Sequence, residues 1–288
     1  MTTLAALGFG YCVRHLVAGE PAAFSRVIGT ARTEERLVAL PTGVEPFLFD
    51  GESLSAVLAD ALAGTDLIIA SAPPDARGDP ILRCAGTVLE AGRLSQVVYL
   101  TTLGVYGDHG GGWVDETTPP RAGSPRLERR LAAEDEWFAF GQKRGIPVSV
   151  LRLAGIYGPG RNALEQLRAG EARRIDKPGQ VFNRIHVADI ARTISAVVDR
   201  RFDGILNVTD DLPAPPGDPI AYAAGLLGLP VPPAIPFDEA AQDMSPMALT
   251  FWAANKRVAN RRLKDELGVS LAYPTYREGL TALHDSGA

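Results

Sequence analysis

Gly8-Phe9-Gly10-Tyr11-Cys12-Val13 follows the apolar run Leu4–Leu7 and leads into a helical stretch from Val13 to Val17. Glycine tolerates positive φ in a tight strand-to-helix turn, and it lets the backbone close on a bulky anion. A helix that begins there aims N–H groups and a partial positive charge at the same point. Such a loop serves phosphate binding, and strand, loop and helix stand in the order that a dinucleotide's pyrophosphate requires. Val13 takes the place of a third glycine, whose part is helix–strand packing, so a slightly wider crossing is expected, with binding retained. A tight turn that holds no ligand is the alternative.

The second apolar run ends Gly29-Thr30-Ala31-Arg32. An NAD-preferring site places Asp or Glu here to hold the ribose 2′-hydroxyl, and neither is present. Thr30 and Arg32 could instead grip a 2′-phosphate, because a guanidinium makes paired, charge-assisted bonds to phosphate oxygens. The expected cofactor is therefore NADP in preference to NAD; an Arg32 that only solvates the surface is the alternative.

These residues need rigid elements behind them. Leu4–Leu7, Val27–Thr30, Pro46–Phe49, Leu67–Ser71, Val97–Thr101 and Val148–Leu153 are short runs apolar on both faces, as strands covered by helices must be. Helical stretches lie between them at Val13–Val17, Thr33–Ala39, Leu54–Leu62, Ile81–Ala91 and Arg126–Lys143. The last carries Leu127, Leu131, Trp137 and Phe138 on one side and is stopped by Gly145 and Pro147. This alternation predicts an α/β fold, a Rossmann-type doubly wound parallel sheet with a smaller C-terminal substrate lobe. The expected division is a dinucleotide-binding domain over 1–160, returning at about 184–208, and a lobe from 161–183 and 209–288. Val187–Asp199, Asp218–Leu227 and Ala248–Leu267 are the later helices, and Ile205–Val208 a late strand.

The 288 residues are 46% hydrophobic and 22% charged with a net charge of −5, and no basic run stands out. Nucleic acid as a main partner is excluded, since phosphate-backbone binding needs concentrated positive charge. Two isolated thiols, Cys12 and Cys84, fit a reduced compartment, and four scattered histidines give no metal spacing. The start, Met1 to Val13, lacks a basic flank and reads as strand and turn rather than a signal peptide. No apolar run approaches the roughly 18 residues of a membrane span. A cytosolic protein with a small-molecule substrate is expected.

Further segments carry a family resemblance. They are Asp50 after the third strand, Thr101-Thr102-Leu103-Gly104-Val105-Tyr106-Gly107 after the fifth, and Leu151-Arg152-Leu153 leading into Ile156-Tyr157-Gly158-Pro159-Gly160-Arg161. His186-Val187-Ala188-Asp189-Ile190-Ala191 and Asn255-Lys256-Arg257-Val258 through Leu267-Gly268 complete the set. With the glycine loop, these make the chain resemble the extended short-chain dehydrogenase/reductases, the group of nucleotide-sugar epimerases and dehydratases, and within it an atypical subgroup. The resemblance implies that Asp50 bonds an adenine and that the backbone at Ala70, Ser71 and Ala72, with Thr101, lies along the cofactor. It implies a structural part for His186 and Asp189, with Asp189 supporting the turn before its helix. It also implies a small substrate such as a nucleotide sugar. Dimerisation through the two long sheet-covering helices is common in the group, although Trp137 and Phe138 fit a core equally well.

Family chemistry uses a Ser/Thr hydroxyl and a Tyr-x-x-x-Lys pair, the phenol exchanging a proton with the substrate oxygen. Thr102 matches the hydroxyl. Alignment of Pro125 and Ala132-Ala133-Glu134 puts Arg126 in the tyrosine slot and Arg130 in the lysine slot, and no tyrosine occurs between Tyr106 and Tyr157. Arginine stays protonated and cannot act as a general base. Arg130 could still bond the nicotinamide ribose, and Arg126 an anionic group of the ligand. Tyr106 is the nearest remaining proton donor, with Asp108, His109 and Glu116 on the following loop. Arg161, Arg173, Arg174 and Arg184 are further candidate anion contacts, and Gly110-Gly111-Gly112-Trp113 reads as a mobile flap. Two functions stay open: an atypical NADP-linked reductase or epimerase/dehydratase-like enzyme, and a non-catalytic NADP-binding sensor or scaffold.

Overall fold

The computed structural model describes residues 2–287, and the chain divides into two compact units. Unit 1 comprises Met1–Thr102, Ser124–Arg152 and Ala191–Leu206; unit 2 comprises Leu103–Gly123, Leu153–Ile190 and Asn207–Ala288. The segment Leu103–Gly123 thus belongs with the later part of the chain, where the sequence alone keeps it in the first domain.

Unit 1 is organised by strands β1 (Thr2–Leu7), β2 (Phe24–Ala31), β3 (Val44–Leu48), β4 (Leu67–Ala70) and β5 (Gln96–Thr102). With Val148–Leu153 and Gly204–Val208 they form a seven-stranded sheet, ordered Gly204–Val208, Val148–Leu153, β5, β4, β1, β2, β3. The pairs β2–β3, β1–β2, β1–β4 and β4–β5 are all parallel. Strand order reverses beside β1, and in open α/β sheets the ligand crevice lies outside the carboxyl ends of the strands at that point.

The crossovers are α1 (Tyr11–Gly19), α2 (Glu34–Val38), α3 (Ala56–Ala63), α4 (Pro80–Ala91) and α5 (Pro125–Arg144). Leu58, Ile68, Ile81, Leu89 and Val150 are fully buried in the core beneath α3, α4 and α5. Each such side chain contributes about 1.5–3 kcal/mol by leaving water. Trp137, also fully buried, settles the choice between core and free surface for that residue. Its Nε1 donates to Asp79 Oδ2 at 3.1 Å, while Asp79 Oδ1 caps α4 by accepting from Ile81 and Leu82 N–H. Helix α5 begins with Pro125 and ends at Gly145, whose φ of 65° allows the left-handed cap. A buried ion pair, Arg152–Glu134 at 2.7 Å with both side chains 3% exposed, ties α5 to the Val148–Leu153 strand.

Unit 2 holds three small parallel pairings: Gly155–Tyr157 with Arg184–His186, Ile175–Asp176 with Ile235–Pro236, and Trp113–Val114 with Arg257–Val258. The last corrects the expectation of one helix over Ala248–Leu267. Helices occupy only Pro246–Trp252 and Arg261–Asp265, because Arg257 and Val258 pair with a segment more than a hundred residues earlier.

Candidate functional site

The glycine loop sits at the carboxyl end of β1. Gly8 has φ +100°, and a Cβ there would lie 2.5 Å from Ser71 Oγ and 3.2 Å from the Ala72 nitrogen, so only glycine fits. Two hydroxyls pin its peptide groups: Thr30 Oγ1 accepts from Gly8 N–H at 2.9 Å, and Ser71 Oγ donates to Gly8 O at 2.7 Å. At Gly10 an added Cβ would meet only Gly8 O at 3.8 Å, which leaves room for a group in front of the helix. Gly10 is the N-cap of α1, makes no side-chain cap bond, and no acidic residue stands in the first turn. This cradle fits a diphosphate: tight backbone, space at Gly10 and an uncontested helix N-terminus. Phe9 and Cys12 are buried, and the half-buried Tyr11 ring packs edge-on against His15 at 4.6 Å, so these residues offer backbone rather than side chains.

Beside the loop lies a cleft of about 370 Å³, lined among others by Phe9, Gly10, Tyr11, Arg14, Arg32 and Arg36. All three arginines are exposed, and Arg14 donates one N–H to Ala39 O at 3.1 Å. No Asp or Glu is among the described residues that line it. Sequence reasoning reached Arg32 alone. Arg14 lies on α1 and Arg36 on α2, and only the fold brings them beside it. Thr30 is 2% exposed and spends its oxygen on Gly8, so it shapes the loop rather than reaching outward.

Asp50 is exposed at the end of β3, its Oδ1 accepting from Glu52 N–H at 2.8 Å. Ala70 is buried at the end of β4, and Ser71 and Ala72 follow it half-buried. At the end of β5, Thr101 is buried and Thr102 half-buried. Arg126 and Arg130 stand four residues apart on α5, hence on one face. Arg130 Nη1 donates to Tyr99 OH at 3.4 Å. Burial, then the charge of Arg130, pushes the Arg126 pKa below its ordinary value, yet a guanidinium keeps its proton at neutral pH.

Tyr106, in unit 2, is fully buried, and its hydroxyl donates to Asn207 Oδ1 at 2.8 Å. The expectation of a proton donor here is revised: a phenol with no exposure and a bond inside the fold is placed as a packing residue.

Residues 81–208 match the model of the NAD dependent epimerase/dehydratase family. That stretch of the chain is of the epimerase/dehydratase type. A functionally unknown conserved protein from Silicibacter pomeroyi is 46% identical, with a TM-score of 0.87 over 100% of this chain and 99% of that one. A 3-diazoavenalumate denitrifying reductase from a Streptomyces species is 30% identical over 178 residues, 58% of this chain and just 55% of the reductase. MoeE5, solved with UDP-glucuronic acid and NAD, shares the fold at 22% identity, with a TM-score of 0.74 over 99% of this chain and 98% of that one.

Other sequence candidates in unit 2 turn out to be structural. Arg184 donates to the carbonyls of Phe182, Ala214 and Pro215, which leaves it a brace rather than an anion contact. Asp189 is fully buried and accepts from Ala272 and Tyr273 N–H at 2.6 and 3.0 Å, so it supports that distant turn. Arg161 is exposed in a turn closed by Gly158.

The expected flap is stitched down. His109 and Gly111 N–H donate to Asn255 O, Arg257 N–H donates to Gly112 O, and the Arg257 side chain donates to Gly111 O. Lys256, 8% exposed, donates through Nζ to Gly107 O at 3.0 Å, and burial lowers its pKa to about 8. The sequence marked Lys256 only as part of a family motif. Trp113 remains 62% exposed and borders a cleft of about 660 Å³ within unit 2. Among the described residues no cluster could hold a metal ion, and no helix is long and apolar enough to cross a membrane.

Proposed function

We propose that this chain binds NADP in the unit 1 crevice and acts as a reductase on a carbonyl substrate that carries an anionic group, such as a keto nucleotide sugar. The observation that carries the reading is the cleft beside Gly10, with Arg14, Arg32 and Arg36 on its walls and no carboxylate lining it. A 2′-phosphate is the part of a dinucleotide that three guanidiniums would select. Gly8 and Gly10 would take the diphosphate, Asp50 the adenine, and the backbone of Ala70–Ala72 with Thr101 the length between them. Bound nicotinamide supplies a hydride. Thr102 would orient the substrate oxygen, Arg130 the ribose beside it, and Arg126 an anionic substrate group. Two arginines where the resembled family's proton-transfer pair would stand leave the proton that the substrate oxygen takes up after hydride transfer to be supplied by solvent. The Streptomyces relative named as a reductase is in keeping with reduction.

Calorimetric titration with NADPH and NADH tests the cofactor half; equal or tighter binding of NADH would overturn it. The second reading is a non-catalytic NADP-binding sensor or scaffold, favoured by the same Arg126–Arg130 pair. NADPH oxidation across a panel of keto nucleotide sugars, aldehydes and ketones separates the two, since binding without turnover supports the sensor.

A further inference from the structure

Two loops leave the carboxyl ends of β3 and β4, and a network of ion pairs joins them. Arg77 reaches both oxygens of Glu52, Nη1 to Oε2 at 2.9 Å and Nη2 to Oε1 at 2.5 Å, and Nη2 also donates to Asp75 Oδ2 at 3.0 Å. Arg83 takes both oxygens of Asp75 at 3.2 Å and donates to Gly51 O at 2.6 Å. The Asp75 turn is closed on itself by paired bonds with Gly78, and Glu52 N–H is held by Asp50. Paired hydrogen bonds hold the Glu52 and Asp75 carboxyls below their usual range.

This network lies on the surface, with Arg77 54% and Glu52 60% exposed, so it adds little to the stability of the fold. What it fixes is a spacing. One loop carries Asp50; the other carries Ser71, whose hydroxyl holds the phosphate-loop carbonyl of Gly8. A dinucleotide bound in the crevice as proposed above, with Asp50 at its adenine, would lie against both loops. We propose that Arg77 is a positioning residue: the Glu52–Arg77–Asp75–Arg83 network is a salt-sensitive strap that slows release of a dinucleotide by keeping these two loops together. The inference rests on the dinucleotide reading and adds to it a control of residence time by side chains that need not touch the ligand.

Stopped-flow fluorescence with NADPH on the full chain reads it directly. For Arg77→Ala at about 20 mM salt we expect a dissociation rate some three- to five-fold faster than wild type, an unchanged association rate and an unchanged melting temperature. At about 1 M salt, where the screening length falls to about 3 Å, the two dissociation rates should converge. Glu52→Gln should reproduce the effect, and the double variant should be no faster than either single. Wild-type binding with no change in Arg77→Ala, or a ratio indifferent to salt, overturns the strap alone. Failure of wild type to bind NADPH or NADH removes the dinucleotide reading and the strap with it.

Discussion

The Gly8 N–H donates to Thr30 Oγ1 at 2.9 Å, so a buried hydroxyl at the end of β2 sets the conformation of the loop that follows β1. Thr30→Val keeps the side chain's shape and removes the acceptor, leaving the N–H without its bond. We expect a loss of about 1–3 kcal/mol in urea unfolding and weaker NADPH binding by calorimetry. Thr30→Ser should keep both near wild type. A valine variant that binds as wild type would show that the loop holds itself.

Cofactor choice should reside in charges that the fold gathers. Arg32→Ala and Arg36→Ala are each expected to weaken NADPH binding about ten-fold or more, the loss of one charge-assisted contact of roughly 1.5–3 kcal/mol. NADH affinity should move little, because NADH has no group at that point. Parallel losses for both cofactors would mean that these arginines shape the cleft and do not read the phosphate.

Tyr106→Phe separates packing from proton transfer. The phenol's bond to Asn207 is buried, so its loss leaves Asn207 Oδ1 short of a donor and should cost about 1 kcal/mol in a thermal melt. Once a reduced substrate is known, kcat should stay within about two-fold of wild type. A drop of a hundred-fold with an intact melt would restore the phenol to the mechanism.

These residues also show what the sequence could and could not reveal. The glycine loop was legible because its neighbours in the chain are its neighbours in space: β1, the turn and α1 are consecutive. The same holds for α5, whose proline start, apolar face and Gly145 stop are all local. Arg14 and Arg36 were not legible as site residues, since each is an ordinary exposed helix position until β2 places it beside the cleft. Lys256 and Asp189 carry the same lesson, because their partners at Gly107 and Ala272 lie far away in the chain. Tyr106 misled for the opposite reason: closeness in sequence to Thr102 says nothing about whether a phenol faces solvent.

Asp210 should make the protein's stability fall as pH rises. Burial raises its carboxyl to about 8 from the 3.8 of an exposed aspartate, against the opposing pull of the Leu212 N–H and Arg184, with Asp211 and Asp189 adding to the rise. Its Oδ2 is buried without a hydrogen-bond partner. Between those two values the folded chain keeps a proton that the unfolded chain has released. Unfolding free energy must then decline with pH over about 4 to 8, by at most about 1.4 kcal/mol per unit from this group. Glu134, Asp79 and Glu116 are raised by burial too, so the difference between variant and wild type is the decisive quantity. Asp210→Asn has the same shape and no proton to lose. Chemical unfolding of both proteins from pH 4.5 to 8.5 should give curves close together at the acid end, with the variant progressively more stable toward the alkaline end. Parallel curves would mean that Arg184 keeps Asp210 ionised throughout, and that the buried pair, rather than a buried neutral acid, is what this corner of unit 2 contains.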